Sequence, residues 1–120
     1  MMNEEIKQII ADVLKYKGKG FAVLCAIEEM AELTQALLKK INRHWDKPEQ
    51  QANDLENIFE EIADVYTQLE YLKIIYQISD AKIWEYLDEK IPRKLIPRIE
   101  KWAARVAETG NPDANKRILD

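Results

Sequence analysis

Apolar residues recur every three or four positions along most of the chain and almost nowhere every second position. Ile6, Ile9, Ile10, Val13 and Leu14 keep helical spacing, and Gly18 stands where a helix C-cap would be, so a first helix is predicted over about residues 4–17. Gly20 precedes a long second run, about residues 21–44, carrying Leu24, Ile27, Met30, Ala31, Leu37, Leu38 and Ile41. The polar stretch WDKPEQQAND that follows is a connection with a short helical turn after Pro48. Asn53 or Asp54 then caps a third helix, Glu56 completing a capping box with Asn53, and Ile58, Ile62, Val65, Leu69 and Leu72 carry it to about Gln77. Ser79 or Asp80 caps a fourth helix holding Ile83, Trp84, Leu87 and Ile91, which Pro92 ends or kinks. A fifth begins around Pro97, turns Ile99, Trp102, Ala103 and Val106 inward, and stops at Gly110. Residues 111–120 have turn chemistry and little periodicity, which predicts a mobile tail.

The pattern predicts an all-α fold of about five helices in a single domain over residues 1–110, with helices two and three at its centre. Their apolar arcs are wider than so short a chain can cover, which predicts a homodimer or homotetramer that completes a four-helix core between subunits. With 120 residues, 47% hydrophobic and 33% charged, the composition is that of a folded globular chain. No apolar run approaches the roughly 20 residues of a membrane span. The net charge of −4 argues against coating nucleic acid. A lone Cys25 and a start without the basic and apolar regions of a signal peptide suit the cytoplasm.

The candidate chemistry lies in two acidic patterns, Glu28-Glu29-x-x-Glu32 on helix two and Glu60-Glu61-x-x-Asp64 on helix three. At about 100° per residue, Glu29 and Glu32 share one flank of helix two, and Glu28 lies further toward solvent. With Ile58, Ile62, Val65 and Leu69 as the core direction, Glu61 and Asp64 fall half-buried at the stripe edge and Glu60 points away. Acids spaced three apart are common surface decoration. Two like-spaced pairs flanking the cores of neighbouring helices are harder to dismiss, because partly desolvated carboxylates repel unless protons or a cation neutralise them. Hard oxygen ligands without cysteine or histidine suit Mg2+, with Mn2+ as a substitute. A dinuclear ferritin-like site would need Glu-x-x-His, and the only histidine, His44, follows Ile41 at that spacing.

Glu29-x-x-Glu32, 28 intervening residues and Glu61-x-x-Asp64 resemble the ExxE…ExxD signature of the MazG-like all-α nucleoside triphosphate pyrophosphohydrolases. AIEEMAELTQAL is similar to the family's first motif helix and FEEIADVYTQLE to its second, a likeness covering about residues 17–72. The resemblance implies cleavage of a (deoxy)nucleoside triphosphate between its α and β phosphates, giving monophosphate and pyrophosphate in nucleotide-pool house-cleaning. It also implies that Glu29, Glu32, Glu61 and Asp64 hold one or more Mg2+ ions, which bridge phosphate oxygens and activate an attacking water. One of the four, or Glu28, would orient or deprotonate that water. Phosphoribosyl-ATP pyrophosphohydrolase, a related all-α enzyme, is the nearest alternative, and a non-catalytic helical interaction module is the other.

Residues 90–105 carry six bases against one acid, whereas residues 28–64 carry ten acids against four bases. Arg98, with Lys101 and Arg105 on one helical face, and Lys39, past the first motif, are therefore candidates to bind the triphosphate, against the plainer option of a solvated face. Trp45, Trp84 and Trp102 offer stacking surface for a base, although aromatics at helical spacing more often serve core or interface. Trp45 is the one that periodicity explains least. His44, at a helix end, reads as a cap. The chain has no glycine-rich phosphate loop.

Overall fold

A computed structural model describes residues 2–112. It contains α1 (Glu4–Lys17), α2 (Lys19–Arg43), a 3-10 turn (Pro48–Gln50), α3 (Gln51–Tyr76) and α4 (Asp80–Thr109), with no strand among the described residues. The fold is all-α. The chain divides into two compact units, the first ending at Ile78 and the second beginning at Ser79.

In the first unit, Asn3 caps α1 by accepting a hydrogen bond from the Ile6 N–H at 2.8 Å. Gly18 ends it at φ 84°, a left-handed backbone that other residues rarely adopt. The chain then re-enters helix at once, so α2 starts two residues earlier than expected and takes in Gly20. Ile10 and Leu14 of α1 pack against Ala22 of α2 and Tyr71 of α3, with Met2 and Ile75 alongside. This cluster is nearly all of the unit's large apolar burial, because the other buried apolar residues are Ala26 and Ala36. Ile10→Ala should therefore cost about 2–5 kcal/mol, a large share of the stability of so small a domain. The urea midpoint reads this directly, and an unshifted midpoint would remove α1 from the core.

α2 and α3 form an antiparallel hairpin, since Lys40 meets Asp54 near the connection while Glu32 meets Glu61 further along both helices. The seam on α2 runs Ala22, Ala26, Glu29, Leu33, Ala36 and Lys40, alternating steps of four and three. On α3 it runs Asp54, Ile58, Glu61, Val65, Gln68 and Leu72. All twelve are buried or half-buried. The seam is thus built from small and polar side chains, and the larger apolar residues turn outward. Ile62 and Leu69, expected to face the core, are 42% and 43% exposed. The expected core direction on α3 was off by about 50°, half a helical step, because the side facing α2 keeps Ile58 and Val65 but is set by Glu61 and its polar neighbours.

The connection also corrects an expectation. α3 begins at Gln51, so Asn53 and Asp54 lie inside the helix and neither caps it. Gln77 closes α3 in the left-handed conformation at φ 53°.

The second unit holds α4, capped by Ser79, which accepts from the Lys82 N–H at 3.1 Å, and ended by Gly110 at φ 69°. The fourth and fifth helices expected from the sequence are one helix, with Pro92 and Pro97 inside it. Each proline removes one i to i−4 hydrogen bond, freeing the carbonyls of Asp88 and Arg93. All four residues are exposed, so water can take up those carbonyls and the helix continues. The tail expected to be mobile lies, beyond Pro112, outside the described residues.

Candidate metal centre

The polar residues of the seam fall into two clusters. The first joins Glu29 and Glu32 of α2 to Glu61 of α3, each offering a carboxylate oxygen so placed that the three lie within 4.8 Å of one another. Glu29 and Glu61 are half-buried and Glu32 is exposed. One oxygen of Glu29 and one of Glu61, both Oε2, are shut off from solvent without a hydrogen-bond partner. Buried acceptors ordinarily find a donor, and these two have none within the protein.

The electrostatics follow. Burial raises the Glu29 carboxyl above its ordinary value, and the charges of Glu32 and Asp64 and the contact with Glu32 raise it further. Glu61 is raised by the same causes in the same order, burial first and then Glu32 and Asp64. Carboxylates this close, two of them each with a buried oxygen facing no donor, are relieved by shared protons or a cation. The donor set is all carboxylate, which would suit a hard divalent ion such as Mg2+ or Mn2+.

Of the four acids expected to act together, the structure gathers Glu29, Glu32 and Glu61. Asp64 is exposed, not half-buried, and stands outside the trio; its charge still bears on both raised carboxyls. Lys39 is exposed on α2, seven residues past Glu32, and Arg98 is exposed on α4 in the second unit.

The second cluster was not anticipated. The Lys40 ammonium donates to Gln51 Oε1 at 3.0 Å and to the His44 carbonyl at 3.1 Å, and forms an ion pair with Asp54 Oδ2 at 3.4 Å. His44 is the C-cap residue of α2, as its position suggested, and its ring Nδ1 donates to Asp54 Oδ1 at 2.9 Å. A carboxylate only accepts, so this contact fixes the proton on Nδ1. The sequence signal was a lysine and a histidine four apart at a helix end, but it points nowhere until Asp54 is known to lie inside α3.

The hydrogen bond from His44 holds the Asp54 carboxyl below its ordinary value, against the opposing effect of burial, with Lys40 adding to the same side. A carboxyl lowered on folding contributes stability above its unfolded value of about 3.9, and that stability is lost as pH falls through the lower folded value. Urea midpoints measured from pH 7 downward should accordingly drop below about pH 4 in the wild type. Asp54→Asn should be less stable at pH 7 and flatter in acid; equal acid limbs would show that the network carries no pH-dependent stability.

No protein-family model, curated protein or solved structure matches the chain. Its chemistry is therefore argued from the two clusters themselves. No helix among the described residues is long and apolar enough to cross a membrane.

Proposed function

We propose that the chain is a Mg2+-dependent nucleotide pyrophosphohydrolase of the MazG-like kind, cleaving (deoxy)nucleoside triphosphates to monophosphate and pyrophosphate in the cytoplasm. The observation that carries this reading is the trio of carboxylates with two buried, partnerless oxygens. Such an arrangement opposes folding unless its charge is put to use. Glu29, Glu32 and Glu61 would hold the ion, which when bound supplies positive charge against the phosphates and an acidified water. The overall change is addition of a water oxygen to the α phosphorus, scission of the bond to the bridging oxygen, and departure of pyrophosphate. A carboxylate of the Glu29, Glu32, Glu61 and Asp64 group takes the water's proton. The flanking position of Glu32 and Asp64, both exposed, leaves the cluster accessible from solvent on one side.

The working form would be a homodimer or homotetramer. Apolar residues at three- and four-residue spacing are exposed on each helix of the first unit: Ile6, Ile9, Val13 and Tyr16 on α1, the separate pairs Leu24 and Ile27 and Leu38 and Ile41 on α2, and Phe59, Ile62, Tyr66 and Leu69 on α3. Exposed apolar stripes of this kind are what an interface would cover.

The deciding experiment measures pyrophosphate release from a panel of ribo- and deoxyribonucleoside triphosphates with Mg2+ and with EDTA. Release from at least one substrate, abolished by EDTA, is expected. Silence across the panel would refute the enzyme reading.

A further inference from the structure

At the corner where α2 hands over to α3, Lys40, Trp45, Asp46, Lys47, Pro48 and Gln51 line an open-sided cleft of about 500 Å³. Its volume is within the range of small-ligand sites, about 300–1,000 Å³. Trp45 lies after the end of α2 with 62% of its surface exposed, so the indole has been left out of the fold. An aromatic face in water costs solvation that a stacked base would recover. Around it, the Asp46 carboxylate can accept from a base edge, and the Gln51 amide nitrogen can donate because its oxygen already serves Lys40. Lys47 adds a cation at the rim.

The cleft also has a firm floor and a fixed relation to the carboxylates. Lys40 and Gln51 belong both to the lining and to the Lys40–Asp54–His44 network, which pins the two helix ends together. Lys40 follows Glu29 by eleven residues, which returns it to nearly the same face of α2. It follows Glu32 by eight residues, about 12 Å along the helix. A ligand occupying both the trio and the cleft would have to span at least about that distance along the helix pair.

We infer that the α2–α3 corner is the nucleoside subsite, with the base stacked on Trp45 and its N–H-bearing edge turned to Asp46. This rests on the hydrolase reading for the identity of the phosphate-bearing part, but not for the binding itself. The subsite selects the substrate and holds it; the carboxylate trio acts on its phosphates.

The test uses the full chain carrying Trp84→Phe and Trp102→Phe, so that Trp45 is the sole indole. Fluorescence is titrated with the four common nucleoside monophosphates in EDTA, and with tripolyphosphate, which has no base. Saturable quenching by at least one monophosphate, absent with tripolyphosphate, is expected. No quenching by any monophosphate, or equal quenching by tripolyphosphate, overturns the subsite. In the otherwise wild-type chain, Trp45→Leu should raise KM for the best triphosphate at least about tenfold, the order of one base stack, with kcat nearly unchanged. An unchanged KM also overturns it. If the protein binds monophosphates yet cleaves no triphosphate, the subsite stands and the hydrolase reading falls; cleavage without quenching gives the reverse.

Discussion

Glu61→Gln will lower Mg2+-dependent pyrophosphate release by about 10²–10³-fold, the usual cost of removing one preorganised electrostatic contact at a reacting phosphate or oxyanion. Glutamine keeps the shape of the side chain and the packing of α3, but it cannot complete an anionic ligand set with Glu29 and Glu32. The substitution should also change how the protein responds to metal. Wild type at Mg2+ a hundredfold above its Kd gains about 2.7 kcal/mol of stability by mass action, and the variant should gain little. In EDTA the order reverses. Glu61 and Glu29 have carboxyls raised on folding, so their contribution to stability is present below the ordinary carboxylate value and is lost as pH rises through the raised folded value. Removing one of the two charges should make the metal-free variant melt higher than wild type at pH 8, with the difference shrinking toward pH 4. A cluster serving only solubility would show the same Mg2+ response in both proteins, and that result would sink the metal assignment.

The sequence made the helices legible where apolar spacing and caps agreed. α4 starts at Ser79, one of the two caps expected for it, and α1 and α4 end at Gly18 and Gly110. It misled where two signals competed. Asn53, Asp54 and Glu56 have the composition of a helix start, but Pro48 opens a 3-10 turn that runs directly into α3 at Gln51. Asp54 is thereby freed from capping and becomes the buried anion between Lys40 and His44. Pro92 reads as a stop only if the carbonyl it orphans is buried, and exposure is not written in local spacing.

The candidate site was legible for the same reason that the core direction was not. Glu29, Glu32 and Glu61 could be singled out because their spacing repeats on two helices. Which arc of α3 turns toward α2 depends on the partner surface. Here that surface is Ala22, Ala26 and Ala36, small enough for the helices to approach along a partly polar seam. The large apolar side chains were left exposed, a consequence that periodicity does not reveal.

That leftover surface leads to the second large effect. If the working form is the proposed homo-oligomer, Ile62→Asp should convert it to a species of 14.1 kDa by light scattering. Ile62 sits within the outward stripe of Phe59, Tyr66 and Leu69 and is 42% exposed. In an isolated chain a substitution at such an exposed position changes stability by no more than about 0.5 kcal/mol. At the centre of a desolvated interface a buried carboxylate costs about 2–4 kcal/mol, roughly 30- to 1,000-fold in the dissociation constant. The two situations therefore differ in what concentration does. An oligomeric wild type should melt higher as the protein is concentrated, and the variant should melt at a constant, lower temperature. A wild type that already scatters as 14.1 kDa, with a melting point indifferent to concentration, would show that these stripes face water in the working protein.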